Sequence, residues 1–188
     1  MNVYDWDKTI VPFDSTAKFY FYCLKKDLSL LKHLPYQIKG FILYFFKKID
    51  KTEMKSYLYV FVPTIKDIEA RVNEFWHENI QYVNDWYKKQ QRQDDIVISA
   101  SPYFLIKPAC DLLGIKTLFA SQVDSKTGKV LSKNCSSQEK VNVFLQAGYK
   151  KEEVEEFYSD SYNDRYFASI AKQAYLVKGQ ELKKWDKF

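Results

Sequence analysis

Glycine and proline are scarce in this chain, five of each in 188 residues. That leaves little material for long irregular linkers or low-complexity stretches. Cysteine is scarcer: Cys23, Cys110 and Cys135 are far apart and form no CxxC pair. An odd, scattered set argues against a disulfide framework and a zinc knuckle, and reduced thiols in a cytoplasmic protein are expected. The two histidines, His33 and His77, are isolated and read as surface or interhelix residues rather than metal ligands. The longest apolar run, residues 41–46, is flanked by lysines and falls far short of the about 20 residues that cross a bilayer. No basic-then-apolar leader opens the chain, since Asp5 and Asp7 interrupt the place where one would lie. A soluble protein is expected.

What is present is apolar and aromatic. Hydrophobic residues make up 46% and charged residues 28%, a balance that folds around a core. The length is that of one domain, or of one core with a modest insertion. The net charge of +5 suits an enzyme for anionic substrates, a nucleic-acid binder or a protein that touches anionic lipid.

Residues 2–6 read as a strand that starts almost at once. Asp14, Ser15 and Thr16 are good helix N-cap types, and helical periodicity runs on to about residue 90. Within it, residues 28–48 read as one helical stretch kinked near Pro35, and residues 54–62 as another that ends before Pro63. Residues 64–90 fit one amphipathic helix, with Val72, Trp76, Ile80 and Val83 on its apolar face. The texture changes at residue 94, from which strands and helices alternate: strand 94–102, helix 103–113 stopped by Gly114, strand 116–121. Residues 123–132 look like a small β-hairpin, and 136–148 like a helix with a serine cap. A strand over 154–161, a helix over 163–173 and a last strand over 174–179 complete the pattern.

Alternation of this kind is the α/β signature: a Rossmann-like parallel sheet with helices on both faces. The expected organisation is an α/β core from residues 1–13 and 91–188, with an all-helical cap, residues 14–90, inserted between its first two strands.

Open parallel sheets bind ligands beyond the C-terminal ends of their strands. Asp5 and Asp7 follow the first strand, Ser99 the second, and Asp160 with Asp164 the penultimate one, while Lys140 opens a helix. Crowded carboxylates repel, and a divalent cation relieves them; hard oxygen ligands favour Mg²⁺ over zinc. A hydroxyl, a lysine and a helix N-terminus can then hold phosphate oxygens.

These four segments, DWDKT, ISAS, SSQEK and DSYND, resemble in order and context the four motifs of the haloacid dehalogenase superfamily. The helical insert makes the likeness greatest to its phosphoserine-phosphatase-like branch. The resemblance implies that Asp5 is a nucleophile that forms an aspartyl-phosphate and ligates Mg²⁺. Asp7 is then the general acid/base, with its backbone carbonyl on the metal. Asp160 is the other carboxylate ligand, and Asp164 binds metal-bound water or steadies Lys140. Ser99 and Lys140 hold the phosphoryl group, with backbone N–H groups of Trp6 and Ala100. Thr9 and Asn163 belong to the substrate-binding set. The dehalogenases themselves lack an acid at the Asp7 place, so phosphate chemistry is implied. A competing parse, DKT as the phosphorylation motif of ion-pumping ATPases, fails because Ile10 and Val11 stand where Gly-Thr is needed.

Some positions stay open in the sequence. Ser101 competes with Ser99 for the phosphate, and Lys129 and Lys133 with Lys140. Asp14 is either a substrate contact or simply the helix cap. The implied function is a Mg²⁺-dependent phosphatase acting on a small metabolite phosphate, such as a phosphoserine-like ester. The alternatives are a lipid-phosphate phosphatase of the phosphatidylglycerophosphate type and a non-catalytic phosphate-binding protein. Residues 36–48 interleave aromatic and basic side chains; packing among cap helices is the preferred reading, and a membrane-surface lid the other. No nucleic-acid partner is expected, because the lysines are scattered. The sequence leaves the oligomeric state open.

Overall fold

Six strands form one sheet in a computed structural model that describes residues 1–186; the last two residues of the expected core, 187–188, lie outside the described residues. The strands are β1 (Asn2–Tyr4), β2 (Ile96–Pro102), β3 (Thr117–Ser121), β4 (Glu156–Ser159), β5 (Gln173–Lys178) and β6 (Glu181–Lys184). Their order is β3-β2-β1-β4-β5-β6; the first five run parallel and β6 pairs antiparallel with β5. β1 and most of β2 are buried, as strands covered on both faces must be. β1 sits in the middle, with Val3 paired to Ile96 on one side and to Phe157 on the other. The chain builds outward to β3 and then returns to place β4 against β1, so the crevice falls beyond the ends of β1 and β4.

Between β1 and β2 lie five helices: α1 (Ser15–Lys26), α2 (Leu34–Phe45), α3 (Lys51–Leu58), α4 (Ile68–Asn79) and α5 (Asp85–Gln90). Asp14 caps α1, and Asp50 with Glu53 forms a reciprocal capping box on α3. Pro35 does not kink a helix. It lies in the first turn of α2, where its missing N–H costs nothing, and a 3-10 segment, Leu28–His33, precedes it. Pro63 likewise falls inside a 3-10 turn, Tyr59–Thr64, beyond the end of α3. The single helix expected over residues 64–90 is broken. Asn84 turns the chain by donating its backbone N–H to Ile10 O at 2.8 Å and its Nδ2 to Thr9 O at 2.7 Å. The apolar rhythm runs through the break because α4 and α5 face the same core: Trp76 is fully buried on α4, and Tyr87 on α5.

Tyr4, Tyr158 and Tyr175 stack across β1, β4 and β5 at 4.9 and 5.0 Å, and Trp86 of α5 covers Tyr158 at 5.3 Å. α6 (Tyr103–Leu112), α7 (Gln138–Gln146) and α8 (Arg165–Ala168) complete the layers, and Phe144 and Phe167 pack with Phe157 on the other face. The expected hairpin over 123–132 is reduced to one bridge, Val123 to Val130, and the Asp124 carboxylate shapes the segment by accepting from the Lys126 N–H and from Thr127 Oγ1. The hairpin that does form, β5–β6, turns through Gly179 at φ 62°. β6 is mostly exposed and carries no apolar alternation, so the sequence pattern does not reveal it.

Candidate active site

The first two carboxylates are placed by the loop that leaves β1. Asp5 donates its backbone N–H to Tyr158 O at 2.8 Å, which fixes it against β4. Trp6 O then accepts the N–H groups of Thr9, Ile10 and Val11, curling the chain back on itself. Lys8 takes the left-handed conformation, φ 57°, within this turn. Trp6 Nε1 donates to Ser15 Oγ at 2.9 Å, and Thr9 Oγ1 accepts the N–H of Asp160 at 3.0 Å. The Trp6 and Thr9 side chains are wholly buried and hold the loop together; the expectation for Trp6 concerned its backbone N–H.

Lys140 enters from the first turn of α7 and is only 1% exposed. Its Nζ donates to Asp5 Oδ1 at 2.5 Å and to Asp164 Oδ2 at 2.7 Å. Asp164 also accepts from Ser159 Oγ at 2.8 Å and, on Oδ1, from the Ser137 N–H at 3.4 Å. That last bond replaces the expected serine cap: Ser137 turns to φ 57° and makes no side-chain cap bond. Burial drives the Lys140 pKa down, but Asp5 and Asp164 outweigh it and hold the ammonium above the usual lysine range. Burial raises the Asp5 carboxyl well above its ordinary value, against the pull of Lys140 and with Asp164 and Asp7 adding to the rise.

Asp7 is held differently. Its Oδ1 accepts the Ser15 N–H at 2.7 Å and its Oδ2 accepts from Ser101 Oγ. Burial, with Asp14 nearby, raises its pKa to about 6, although the bonds from Ser101 and Ser15 oppose the shift. A carboxyl so placed exchanges a proton near neutrality.

A cavity of about 330 Å³ opens over these groups, with Asp5, Asp7, Asp160, Asp164 and Lys140 in its wall. Ala100, Asn163 and Asp14 also reach it. Asp14 serves as helix cap as well, its Oδ1 accepting from the Ala17 N–H at 2.9 Å. Ser99 is behind the wall: it is 1% exposed and its Oγ accepts the Ser101 N–H at 3.0 Å. Ser101 lines a second, adjoining chamber rather than this one. Two lysines that sequence reasoning passed over come from α3. Lys51 lines both spaces, and Lys55 Nζ donates to Ala100 O at 2.5 Å. Their spacing of four puts them on one helix face, the only signal the sequence offered. Burial lowers the Lys55 pKa to about 8.

No three His, Cys, Asp or Glu residues among the described residues converge into a ready-made metal cage. Magnesium does not require one, since one or two carboxylates, waters and substrate oxygens commonly complete its shell. Asp7 and Asp164, expected around the ion, have both carboxylate oxygens engaged by protein donors. Among the described residues, no hydrogen bond reaches Asp5 Oδ2 or the Asp160 carboxylate. These hard oxygen donors, in a polar cavity, fit Mg²⁺.

A family model for haloacid dehalogenase-like hydrolases matches residues 3–169. The chain belongs to this family. It is similar to a solved structure of a protein of unknown function from Bordetella pertussis Tohama I, with TM-score 0.75 and 16% identity over 93% of this chain and 87% of that one. It is also similar to a probable phosphoserine phosphatase from Vibrio cholerae, TM-score 0.61 and 16% identity, over 92% of this chain and 55% of that one. A phosphoserine phosphohydrolase-like protein from Francisella tularensis matches with TM-score 0.54 and 17% identity over 93% and 86% of the two chains. At these identities the likeness establishes the shared Rossmann-like fold. No curated protein matches the chain.

Proposed function

We propose that this haloacid dehalogenase-like hydrolase is a Mg²⁺-dependent phosphomonoesterase that works through a phosphorylated Asp5. One observation carries the reading. Asp5 keeps one oxygen on Lys140 and leaves the other without a protein partner, inside a cavity large enough for a phosphoryl group. Asp5 and Asp160, with the Asp7 backbone carbonyl, would hold Mg²⁺, which when bound offsets the negative charge of the phosphoryl oxygens.

Asp5 Oδ2 attacks phosphorus, and the bond from phosphorus to the ester oxygen breaks. Asp7, whose pKa burial raises to about 6, gives its proton to the departing alkoxide, while Lys140, and Mg²⁺ when bound, would favour the ionised Asp5 that attacks. The alcohol leaves, and Asp7, now a carboxylate, takes a proton from water as that water attacks the phosphoryl group. The Asp5–phosphorus bond breaks and phosphate departs. Lys140 keeps Asp5 oriented and balances charge; Ser137, Ser159 and Asp164 keep Lys140 in place. Ser99 supports the same edge through the backbone of Ser101. Residues 14–90 act as the cap over the cavity, with Lys51 delivered from α3.

Three buried, unpaired cysteines support a reducing, cytoplasmic setting. No helix of the described residues is long and apolar enough to cross a membrane. The test is hydrolysis of para-nitrophenyl phosphate with and without Mg²⁺. Turnover that requires Mg²⁺ and disappears in Asp5→Asn supports the reading, and turnover that survives Asp5→Asn defeats it.

A further inference from the structure

α2 is built inside out. Its buried residues are Gln37 and Gly40, while Ile38, Phe41, Ile42, Tyr44 and Phe45 face solvent. Packing among neighbouring helices, the reading preferred from sequence, accounts for only one narrow face. Gly40 sits so close to α3 that a Cβ there would fall 2.4 Å from Tyr57 Cβ, and Gln37 Nε2 donates to Leu58 O at 3.0 Å. The aromatic face is left uncovered, and Phe21, Leu28, Leu31 and Phe46 extend it, at 62%, 70%, 47% and 65% exposure. Water-facing apolar surface on this scale marks a binding surface.

The same stretch is strongly basic. Residues 15–49 hold seven lysines and a single carboxylate, Asp27, more positive charge than the whole chain's net +5. Lys25, Lys32, Lys39, Lys47 and Lys48 are exposed and alternate in the chain with the exposed apolar residues. An apolar helix face in a lysine-rich stretch matches an anionic lipid interface. A second copy of the chain would bring like charges together, which disfavours pairing through this face.

Behind the face lies the second chamber, about 470 Å³. Phe21, Leu34, Ile38 and Phe41 line it and are exposed on the same face, so its apolar end opens there. Its other end shares Asp7, Asp14, Lys51 and Ala100 with the acidic cavity. The chamber is thus polar beside Asp7 and apolar toward the outside, the polarity gradient of an amphiphile.

We propose that the α1–α2 face docks on an anionic lipid surface and that the chamber behind it takes the hydrocarbon of a lipid phosphomonoester whose phosphate lies at Asp5. The substrate half rests on the phosphatase reading; the docking half does not.

Co-sedimentation with phosphatidylcholine vesicles, with and without phosphatidylglycerol, tests docking, using Asp5→Asn so that turnover plays no part. Binding should require phosphatidylglycerol, weaken as salt rises, and drop by about tenfold or more in Phe45→Ser/Phe46→Ser, which alters only exposed side chains. Equal binding to both vesicles, no binding, or a stable dimer that buries this face overturns docking. Kinetics on an acyl glycerol phosphate and on glycerol phosphate test the chamber. A kcat/KM at least about tenfold higher for the acylated ester is expected, and equal values overturn the chamber's role. Failure of both esters while para-nitrophenyl phosphate is still hydrolysed overturns the substrate half and leaves the phosphatase reading standing; failure of all three refutes both, and vesicle binding decides docking in either case.

Discussion

Replacing Lys140 by methionine removes one ammonium from a site where it answers two carboxylates. The methylene stem is roughly conserved, so packing around the 1% exposed side chain changes little. What changes is charge. Asp5 and Asp164, at 2.5 and 2.7 Å from Nζ, lose their common partner while staying buried. Breaking a buried ion pair on one side costs about 3–5 kcal/mol, out of a typical domain stability of about 5–15 kcal/mol. The cost depends on pH in a definite direction. Burial already holds the folded-state pKa of Asp5 above its unfolded value, and losing Lys140 raises it further. A carboxyl raised in this way binds more protons folded than unfolded. Its stabilising contribution is present at low pH and is lost as pH rises toward the raised pKa. The deficit of Lys140→Met should therefore be smaller near about pH 5 than near about pH 8, where it approaches about 3–5 kcal/mol. Urea unfolding of both proteins without divalent cations measures this. A deficit below about 1 kcal/mol at the higher pH, or one equal at both, would refute the charge argument.

Asp5→Asn and Asp7→Asn should each lower kcat by about a hundredfold or more, as measured with any accepted ester, because one removes the nucleophile and the other the proton donor. Mg²⁺ should raise the melting temperature more at about pH 8 than at about pH 5, since Asp7, with a pKa of about 6, and the raised Asp5 are protonated at the lower pH and disfavour cation binding. Calorimetry with and without Mg²⁺ reads that difference. Gly40→Ala should cost about 1–3 kcal/mol in thermal or urea unfolding, because the added methyl overlaps Tyr57 and forces α2 away from α3.

The parallel strands and the acid positions were legible because each carries a local signal, such as the apolar runs ending in Asp5, in Ser99 or in Asp160. Parallel order then collects those ends at one edge. Three features were not legible, each for a physical reason. The break at Asn84 depends on Thr9 and Ile10, some 75 residues away in the chain, so no local pattern announces it. β6 forms on polar residues because β5 offers it an edge, not because its own side chains demand burial. The role of Lys51 and Lys55 depends on which face of α3 turns inward, and periodicity gives the face without its direction. Ser99 shows the converse. Its motif position was readable, yet its hydroxyl is spent on the Ser101 N–H behind the cavity wall.

Phosphorylation of Asp5 is the central step of the proposed reaction. The most direct measurement is mass spectrometry of peptides from enzyme quenched in acid during turnover of para-nitrophenyl phosphate with Mg²⁺. A phosphoryl group on Asp5, absent from Asp5→Asn, is the predicted result. Steady turnover with the phosphoryl group on Ser99, Ser101 or any other side chain would contradict it.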